Sequence, residues 1–271
     1  MTIIKEPNWL AMTLNDPFLF ATVMEDKPTC QQVIETLLDI QDIVALNYLE
    51  VEKTLDVSYD SKGVRLDVYV KDHLGVAYAI EMQTANTYEL HQRARYYGAI
   101  GDVDQGLKGQ DYKDLKKSYV IFICCEDIFK LGYYRYAFEN MCTDVEGLKL
   151  NDGTYKIFFN TKGHKGVVSK DVKDFLKYVE GIESTNPFVQ AIAHRVEAIK
   201  EREQWRRWYM TKAIREQDLL DRGIHMGEER KAIQVAQNFL QDDLPVEMIA
   251  KNTGLSIEAV EKLRDATKQK L

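Results

Sequence analysis

Two neighbouring stretches decide the fold: residues 64–71 read V-R-L-D-V-Y-V-K, and residues 77–84 read A-Y-A-I-E-M-Q-T. Both alternate apolar and polar side chains, as β-strands with two different faces do. The short segment between them contains Asp72 and Gly75, which favour a tight turn. We therefore predict an antiparallel hairpin in the centre of the protein.

Three polar side chains of this hairpin, Asp67, Glu81 and Gln83, form the candidate site. Alternation predicts that Leu66, Val68, Ile80 and Met82 face the core, and that Asp67 and Glu81 meet on the other face. Two carboxylates held close together repel each other, and a divalent cation relieves that repulsion. Oxygen ligands suit Mg²⁺, which can activate water for phosphoryl chemistry. The alternative is a hairpin with one solvated face, on which both acids are simply exposed.

Further elements extend from the hairpin in both directions. Helical periodicity runs through residues 16–49, with a break at Pro28 and with Thr29 as the predicted N-cap of the second helix. The other predicted elements are strands at 55–59, 119–125, 134–138 and 155–160, and helices at 88–103, 172–179 and 188–220. The resulting order of helices and strands predicts an α/β protein with a mixed sheet.

Composition and charge limit the class of protein. The 271 residues carry 36 Lys and Arg against 43 Asp and Glu, a formal charge of −7, and 45% of the residues are hydrophobic. This composition excludes a disordered chain, and the acidity argues against nonspecific coating of nucleic acid. We expect no membrane span and no signal peptide. The four cysteines show no metal-binding spacing, so we expect reduced thiols and a cytoplasmic protein.

The last 90 residues have a different character. We place a domain boundary near residues 181–187 and predict a core at 1–181 and a helical region at 182–271. Gly223 and Gly227 interrupt the helical pattern of that region, and three short helices are predicted from residue 228 onward. Residues 246–266 have the spacing of a helix-turn-helix, with Ser256 capping its second helix. Glu258, Glu261 and Lys262 leave that helix with nearly balanced charge. DNA binding and a packed hairpin used for dimerisation, which would make a homodimer, therefore both remain open.

A longer string of motifs agrees with the hairpin. R-L-D-V-Y-V and A-I-E-M-Q-T are followed by R-A-R-Y-Y-G-A-I-G-D-V-D-Q-G-L-K-G at 93–109, the strand Y-V-I-F-I-C, Y-A-F-E-N-M-C, and L-N-D-G-T-Y-K-I-F-F-N-T-K-G at 150–163. In this order they resemble the PD-(D/E)XK nuclease family transposases, the recombination-promoting nucleases. The resemblance runs from about residue 16 to the C-terminus. It implies a restriction-endonuclease-like core, α-β-β-β-α-β, with an added C-terminal helical region.

The resemblance also implies an activity and its residues. The expected function is Mg²⁺-dependent (or Mn²⁺-dependent) endonuclease cleavage of DNA linked to recombination or mobile elements, with Asp67 and Glu81 as catalytic metal ligands and Gln83 as a catalytic residue beside them. Gln83 stands where many members of the wider superfamily have Lys, and an amide supplies only dipoles. The alternative is a non-catalytic DNA-binding or regulatory protein that retains the nuclease fold. The endonuclease requires the carboxylates of Asp67 and Glu81 to converge in a concave, solvent-reachable site. Carboxylates that point apart, or that lie under a packed helix with arginine partners, would contradict it.

Two further groups of side chains are candidate site residues, and each also has an ordinary structural interpretation. The wider superfamily often adds an acid from the first helix; Glu35 is the first candidate, with Asp16 and Glu25 as alternatives, and each could equally be a surface or capping residue. Arg93 and Arg95 follow the third strand and could contact phosphates. Pairing with a nearby acid such as Glu89 is the other interpretation.

Overall fold

The computed structural model describes residues 8–41, 43–55, 64–85, 88–106 and 111–268. The chain divides into two compact units, up to Arg206 and from Arg207 onward. The helices are α1 (Pro17–Met24), α2 (Lys27–Leu38), α3 (Leu90–Gln105), α4 (Lys170–Val179), α5 (Pro187–Lys200), α6 (Glu203–Gln241), α7 (Val246–Thr253) and α8 (Ile257–Lys268). The strands are β1 (Leu46–Leu55), β2 (Val64–Asp72), β3 (Ala77–Gln83), β4 (Ser118–Cys124), β5 (Arg135–Phe138) and β6 (Thr154–Asn160).

Across the described residues, six strands form one mixed sheet in the order β1-β2-β3-β4-β6-β5. β1, β2 and β3 pair antiparallel, β3, β4 and β6 pair parallel, and β5 returns antiparallel to β6. The parallel step from β3 to β4 needs a crossover connection, and α3 supplies it. The predicted α/β class and the α-β-β-β-α-β order are therefore confirmed.

The central hairpin is buried on both faces. On one face Tyr69 and Ala79 lie in an apolar cluster with Ala94 and Tyr97 of α3. Val68 and the other inward side chains of the opposite face are also fully buried, and α1 contacts both strands. The alternative of a hairpin with one solvated face is therefore wrong, because α3 covers the face that carries the two acids.

Two boundaries near the N-terminus differ from the predictions. β1 begins at Leu46, inside the stretch predicted as helical, because Leu46 and Leu49 fit a helical spacing as well as a strand. Most of the strand predicted at 55–59 falls outside the described residues. The N-cap of α2 is Asp26 rather than Thr29, since the Asp26 carboxylate accepts the Thr29 backbone N–H at 3.1 Å.

The domain boundary predicted near residues 181–187 stays a prediction. The first compact unit continues beyond it, because α5 contacts α1 and α4. Phe188 of α5 also packs against Phe175 of α4, with 6.0 Å between the ring centroids. The ring of Trp205, at the start of α6, meets Phe18 edge-on. The helices after residue 181 therefore contribute to the packing of the first unit.

The second unit contains most of α6 together with α7 and α8. Its core is formed by Ala236, Ile249 and Val260, one from each helix. Gly254 ends α7 with φ of 74°, and the Ser256 hydroxyl accepts the Ala259 N–H, as predicted for the cap of α8. Two helices joined by a tight turn are thus present at residues 246–266, whereas their role stays a prediction.

The prediction of a separate helix beginning at residue 228, the first of the three short terminal helices, is wrong. α6 runs without interruption to Gln241 and passes through Gly223 and Gly227, which we interpreted as breaks. Both glycines lie in the helix with open space around the position of a β-carbon. A helix tolerates an exposed glycine at a cost of about 1 kcal/mol, so two such residues do not end it.

Membrane crossing requires about 20 consecutive apolar residues in a helix. Among the described parts of the chain, no helix combines that length with that apolar character.

Candidate metal and nuclease site

Asp67 and Glu81 lie where the β2–β3 pairing ends. The paired register runs from Lys71 and Ala77 to Val68 and Ile80, and the next residue on each strand is one of the two acids. Beyond this point β3 continues to pair with β4, where Glu81 stands beside Phe122. The site is therefore built at an interruption between two central strands.

The two carboxylates bridge that interruption reciprocally. Glu81 Oε1 accepts the backbone N–H of Asp67 at 3.0 Å, and Asp67 Oδ2 accepts the backbone N–H of Met82 at 2.9 Å. Each carboxylate thus accepts a hydrogen bond from a backbone N–H of the other strand. Backbone pairing between β2 and β3 ends just before this point, so the carboxylates satisfy these two donors instead. The carboxylates converge, as we expected from the alternation of the strands.

Helix α3 contributes a third group, Arg93. Its Nη2 donates to Glu81 Oε2 at 3.3 Å, and its Nη1 donates to Gln83 Oε1 at 2.9 Å. Gln83 Nε2 donates to the carbonyl of Ala85. Arg93 therefore pairs with an acid of the same chain, as one interpretation of the sequence expected, but the acid is Glu81 of the site and not the example that we gave, Glu89. Arg95 points to solvent.

Aromatic side chains hold the Arg93 guanidinium in place. The Tyr97 hydroxyl accepts from its Nε and its Nη2, at 3.1 and 2.9 Å. The guanidinium carbon lies 5.3 Å from the centre of the Tyr97 ring and 5.6 Å from that of Phe122. The electron-rich faces of both rings attract the cation and fix its position.

Burial and charge act strongly on Glu81, whose residue is 3% exposed. Burial raises the pKa of Glu81 well above its ordinary value, and the negative charge of Asp67 raises it further. The Asp67 N–H and the Arg93 cation act in the opposite direction. Removal from water disfavours the charged form of an acid, so these two partners are what favour a carboxylate here.

The burial of Glu81 departs from our expectation of a concave, solvent-reachable pair of acids. Asp67 and Gln83 are half-buried, whereas Glu81 lies under α3 with an arginine partner. The alternation pattern showed which face carries the acid, but not that a later helix would cover that face. Arg93 was a candidate for phosphate contact, but its bond to Glu81 was not predicted, and Tyr97 was missed as part of the site; their i, i+4 spacing on α3 was the available signal.

Two of the three first-helix acids, Asp16 and Glu35, have local partners. Asp16 is the N-cap of α1 and accepts the backbone N–H groups of Phe18 and Leu19. Glu35 accepts from Gln31 at 3.1 Å, one turn earlier on α2. Asp16 has the capping role that we gave as its alternative.

Glu25 instead feels the negative charge of Glu52, an acid of β1. Burial raises the pKa of Glu25, the Arg195 cation lowers it, and the negative charge of Glu52 raises it. In the β1–β2 register Glu52 stands across from Asp67, between the pairs Val51–Val68 and Lys53–Leu66. Glu52 was not among our candidates, and it forms an ion pair with Arg65 at 2.5 Å.

The donor atoms define what this site can hold. Asp67 and Glu81 offer carboxylate oxygens and Gln83 an amide oxygen, all hard ligands of the kind that Mg²⁺ and Mn²⁺ prefer. Over the described residues, no cluster of three or more His, Cys, Asp or Glu side chains has metal-binding geometry. A cation here would therefore have two carboxylates and would complete its coordination with water.

The family model of the PD-(D/E)XK nuclease family transposases matches the chain over residues 18–231. Searches of curated proteins and of solved structures returned no significant match. The matched range contains the whole sheet, α3 and the two converging acids. The chain belongs to the PD-(D/E)XK nuclease family transposases.

Proposed function

We propose that the protein is a divalent-metal-dependent endonuclease that hydrolyses phosphodiester bonds of DNA, with Asp67 and Glu81 as metal ligands. The family supports a nuclease with a role in mobile-element biology, and nucleases of this kind generally use divalent metal ions. The observation that carries the proposal is the reciprocal bridge, in which Asp67 and Glu81 each bond to the other's strand. This bridge keeps two carboxylates side by side although they repel each other.

The donor set favours Mg²⁺, with Mn²⁺ as the alternative. Asp67 and Glu81 would hold such an ion, which would supply a water of lowered pKa and positive charge for the phosphate. In the reaction a water oxygen forms a bond to phosphorus, the bond to the leaving oxygen breaks, and that oxygen takes up a proton. Asp67 and Glu81 hold the reacting centre in place, and the Gln83 amide stands ready to orient water or a phosphate oxygen.

One observation favours the second candidate, a regulatory or DNA-binding protein that retains the nuclease fold. Glu81 is buried and already paired with Arg93, so a cation must compete with that arginine for Oε2. An uncompensated buried charge is costly, and the same ion pair would also serve a purely structural site. Cleavage by the purified protein distinguishes the two candidates.

Plasmid DNA provides the test. We expect the wild-type protein to nick or linearise the plasmid with Mg²⁺ and not with EDTA, and we expect Asp67→Asn and Glu81→Gln to lose at least about 100-fold in rate. Both substitutions keep the size of the side chain, so they disturb the bridge less than Ala would. Glu146→Gln is the matched control, because it removes an exposed carboxylate from the loop before β6.

Two results would count against the endonuclease. One is the absence of metal-dependent cleavage by the folded wild-type protein. The other is equal cleavage by Asp67→Asn, Glu81→Gln and the control, which would indicate a contaminating nuclease. Either result leaves the regulatory protein as the better candidate.

The C-terminal helices α7 and α8 would contribute DNA contacts or association with a second copy. The exposed face of α8 presents Glu258 and Glu261 beside Lys262. Such mixed charge gives little attraction to phosphates, so a homodimer and a DNA contact both stay predictions. We also propose that the activity acts in recombination, which a strand-transfer assay with the purified protein would test.

A further inference from the structure

We infer that the guanidinium of Arg93 is the cation that binds the scissile phosphate, an inference that rests on the proposed nuclease function. Its Nη1 lies 2.9 Å from Gln83 Oε1 and its Nη2 lies 3.3 Å from Glu81 Oε2. The positive charge that Gln83 cannot supply is thus provided from α3, at the same edge of the site.

The chemistry gives such a cation a task. Hydrolysis of a phosphodiester develops negative charge on the phosphate oxygens, and fixed positive groups stabilise that charge. The Gln83 amide offers only dipoles, whereas arginine stays charged throughout the working pH range. Its planar fork can donate to two phosphate oxygens at once.

Arg93 is held in position before any substrate arrives. Two donors, Nε and one N–H of Nη2, are fixed by the Tyr97 hydroxyl, and the rings of Tyr97 and Phe122 flank the guanidinium. A preorganised cation requires little rearrangement during the reaction, which is the main source of its catalytic value.

Arg93 also has capacity left for a substrate. Its side chain is 29% exposed, although its partner Glu81 is buried. An arginine has five N–H donors, and its hydrogen bonds to the described residues use four of them. The remaining donor is on Nη1. If Glu81 turns to a cation, Nη2 is released as well, and the two nitrogens present a pair of donors to one phosphate.

Single-turnover cleavage at saturating DNA tests this inference. We expect Arg93→Gln to slow cleavage by about 100-fold or more, and Arg93→Lys by roughly tenfold, since lysine restores the charge but not the fork. Arg95→Gln removes the same charge two residues along the helix, where the side chain is exposed. We expect it to lose far less rate than either variant of Arg93.

Two further measurements separate catalysis from structure. Thermal unfolding of the metal-free variants reports folding, and DNA binding with Ca²⁺ in place of Mg²⁺ reports affinity. If Arg93 has a purely structural role, its replacement should lower the thermal stability and leave the cleavage rate per folded molecule unchanged. We expect the reverse for Arg93→Lys: a folded protein with near-wild-type DNA affinity and a reduced rate at saturation.

The outcomes distinguish this inference from the proposed function. If the wild type cleaves, Asp67→Asn does not, and folded Arg93→Gln and Arg93→Lys cleave at the wild-type rate, the role of Arg93 is refuted and the nuclease stands. If Arg93→Gln does not fold, the result for Arg93→Lys decides alone, because lysine keeps the positive charge beside Glu81. Cleavage by Arg93→Lys at the wild-type rate would then refute the role of the guanidinium in binding the phosphate. If the wild type does not cleave, both proposals fall.

Discussion

At the scale of single residues, Glu81 connects the fold to the chemistry. It lies in β3, and its carboxylate, which is almost inaccessible to water, accepts hydrogen bonds from the backbone N–H of Asp67 and from Arg93. A buried acid of this kind is unfavourable for stability unless its partners are in place. Conflicts between local cost and retained charge are typical of functional sites, which agrees with the role that we propose.

Much of this site could be predicted from the sequence, and one part could not. The period-two alternation of the hairpin was enough to bring Asp67 and Glu81 together, because strand side chains follow strict geometry. The contact with Arg93 depends on how α3 packs across the sheet. Packing of this kind is set by tertiary contacts, which a local pattern does not contain.

A second acid allows a prediction about pH and stability. The Asp127 carboxylate accepts the backbone N–H of Gly132 at 2.6 Å and the Tyr136 hydroxyl at 2.9 Å, and also bonds the N–H groups of Phe129 and Lys130. Burial raises the pKa of Asp127, but these hydrogen bonds outweigh it and the pKa is lowered overall. The charged form is therefore bound more tightly in the folded protein than in the unfolded chain.

A lowered pKa stabilises the fold above the unfolded pKa of about 3.9, and this stability is lost as the pH falls through the folded value. We expect Asp127→Asn to lower the free energy of unfolding by about 1–3 kcal/mol at pH 7 and by clearly less below pH 4. Denaturant unfolding at several pH values measures this, with exposed Asp144→Asn as the control. If Asp127→Asn lowered the free energy of unfolding by the same amount at every pH, the charged form of Asp127 would not be the source of this stability.

At the scale of elements, helix α6 shows how weak stop signals can be overruled. Gly223 and Gly227 suggested two breaks, yet the backbone continues through both. β1 shows the converse case, in which a strand was hidden by apolar residues spaced as in a helix. β4 was predicted closely, because its nearly all-apolar run is typical of a central strand that is buried on both faces.

Replacing glycine with alanine should have opposite effects on stability within α6 and at the end of α7. Gly223→Ala and Gly227→Ala place a methyl group in open space on a helix, so each should stabilise α6 by about 0.5–1 kcal/mol. Gly254→Ala should destabilise the second unit by about 1 kcal/mol, because φ of 74° is unfavourable for alanine. Thermal unfolding followed by circular dichroism compares the three. A stabilising Gly254→Ala, or destabilising α6 variants, would refute this account.

At the scale of the whole molecule, the middle of α6 differs from all other helices of the described chain. From Asp218 to Lys231 every residue is exposed, including the apolar side chains of Leu219, Leu220 and Ile224. Isolated helices of this length are marginally stable in water, since most helical stability in proteins comes from packing of one face. This exposed run of α6 should therefore open more readily than the packed parts of the chain.

Limited proteolysis measures that difference. We expect trypsin to cut first at Arg222, Arg230 or Lys231 and to leave a large N-terminal fragment that resists further digestion. Replacing these three residues with Gln should slow the first cut markedly without changing the thermal stability of the protein. Early cleavage within the sheet, for example at Lys156 of β6, would contradict this prediction.

The exposed run of α6 also bears on how chains of this kind change over generations. The family match ends at residue 231, which is also where the exposed run ends, and α7 and α8 lie beyond the matched range. A solvated helix that buries nothing constrains its sequence little, and a gene fusion at this point would leave the core around Asp67 intact. We expect descendants of one ancestral nuclease to carry unrelated C-terminal units after this position, each new appendage acquired without rebuilding the site.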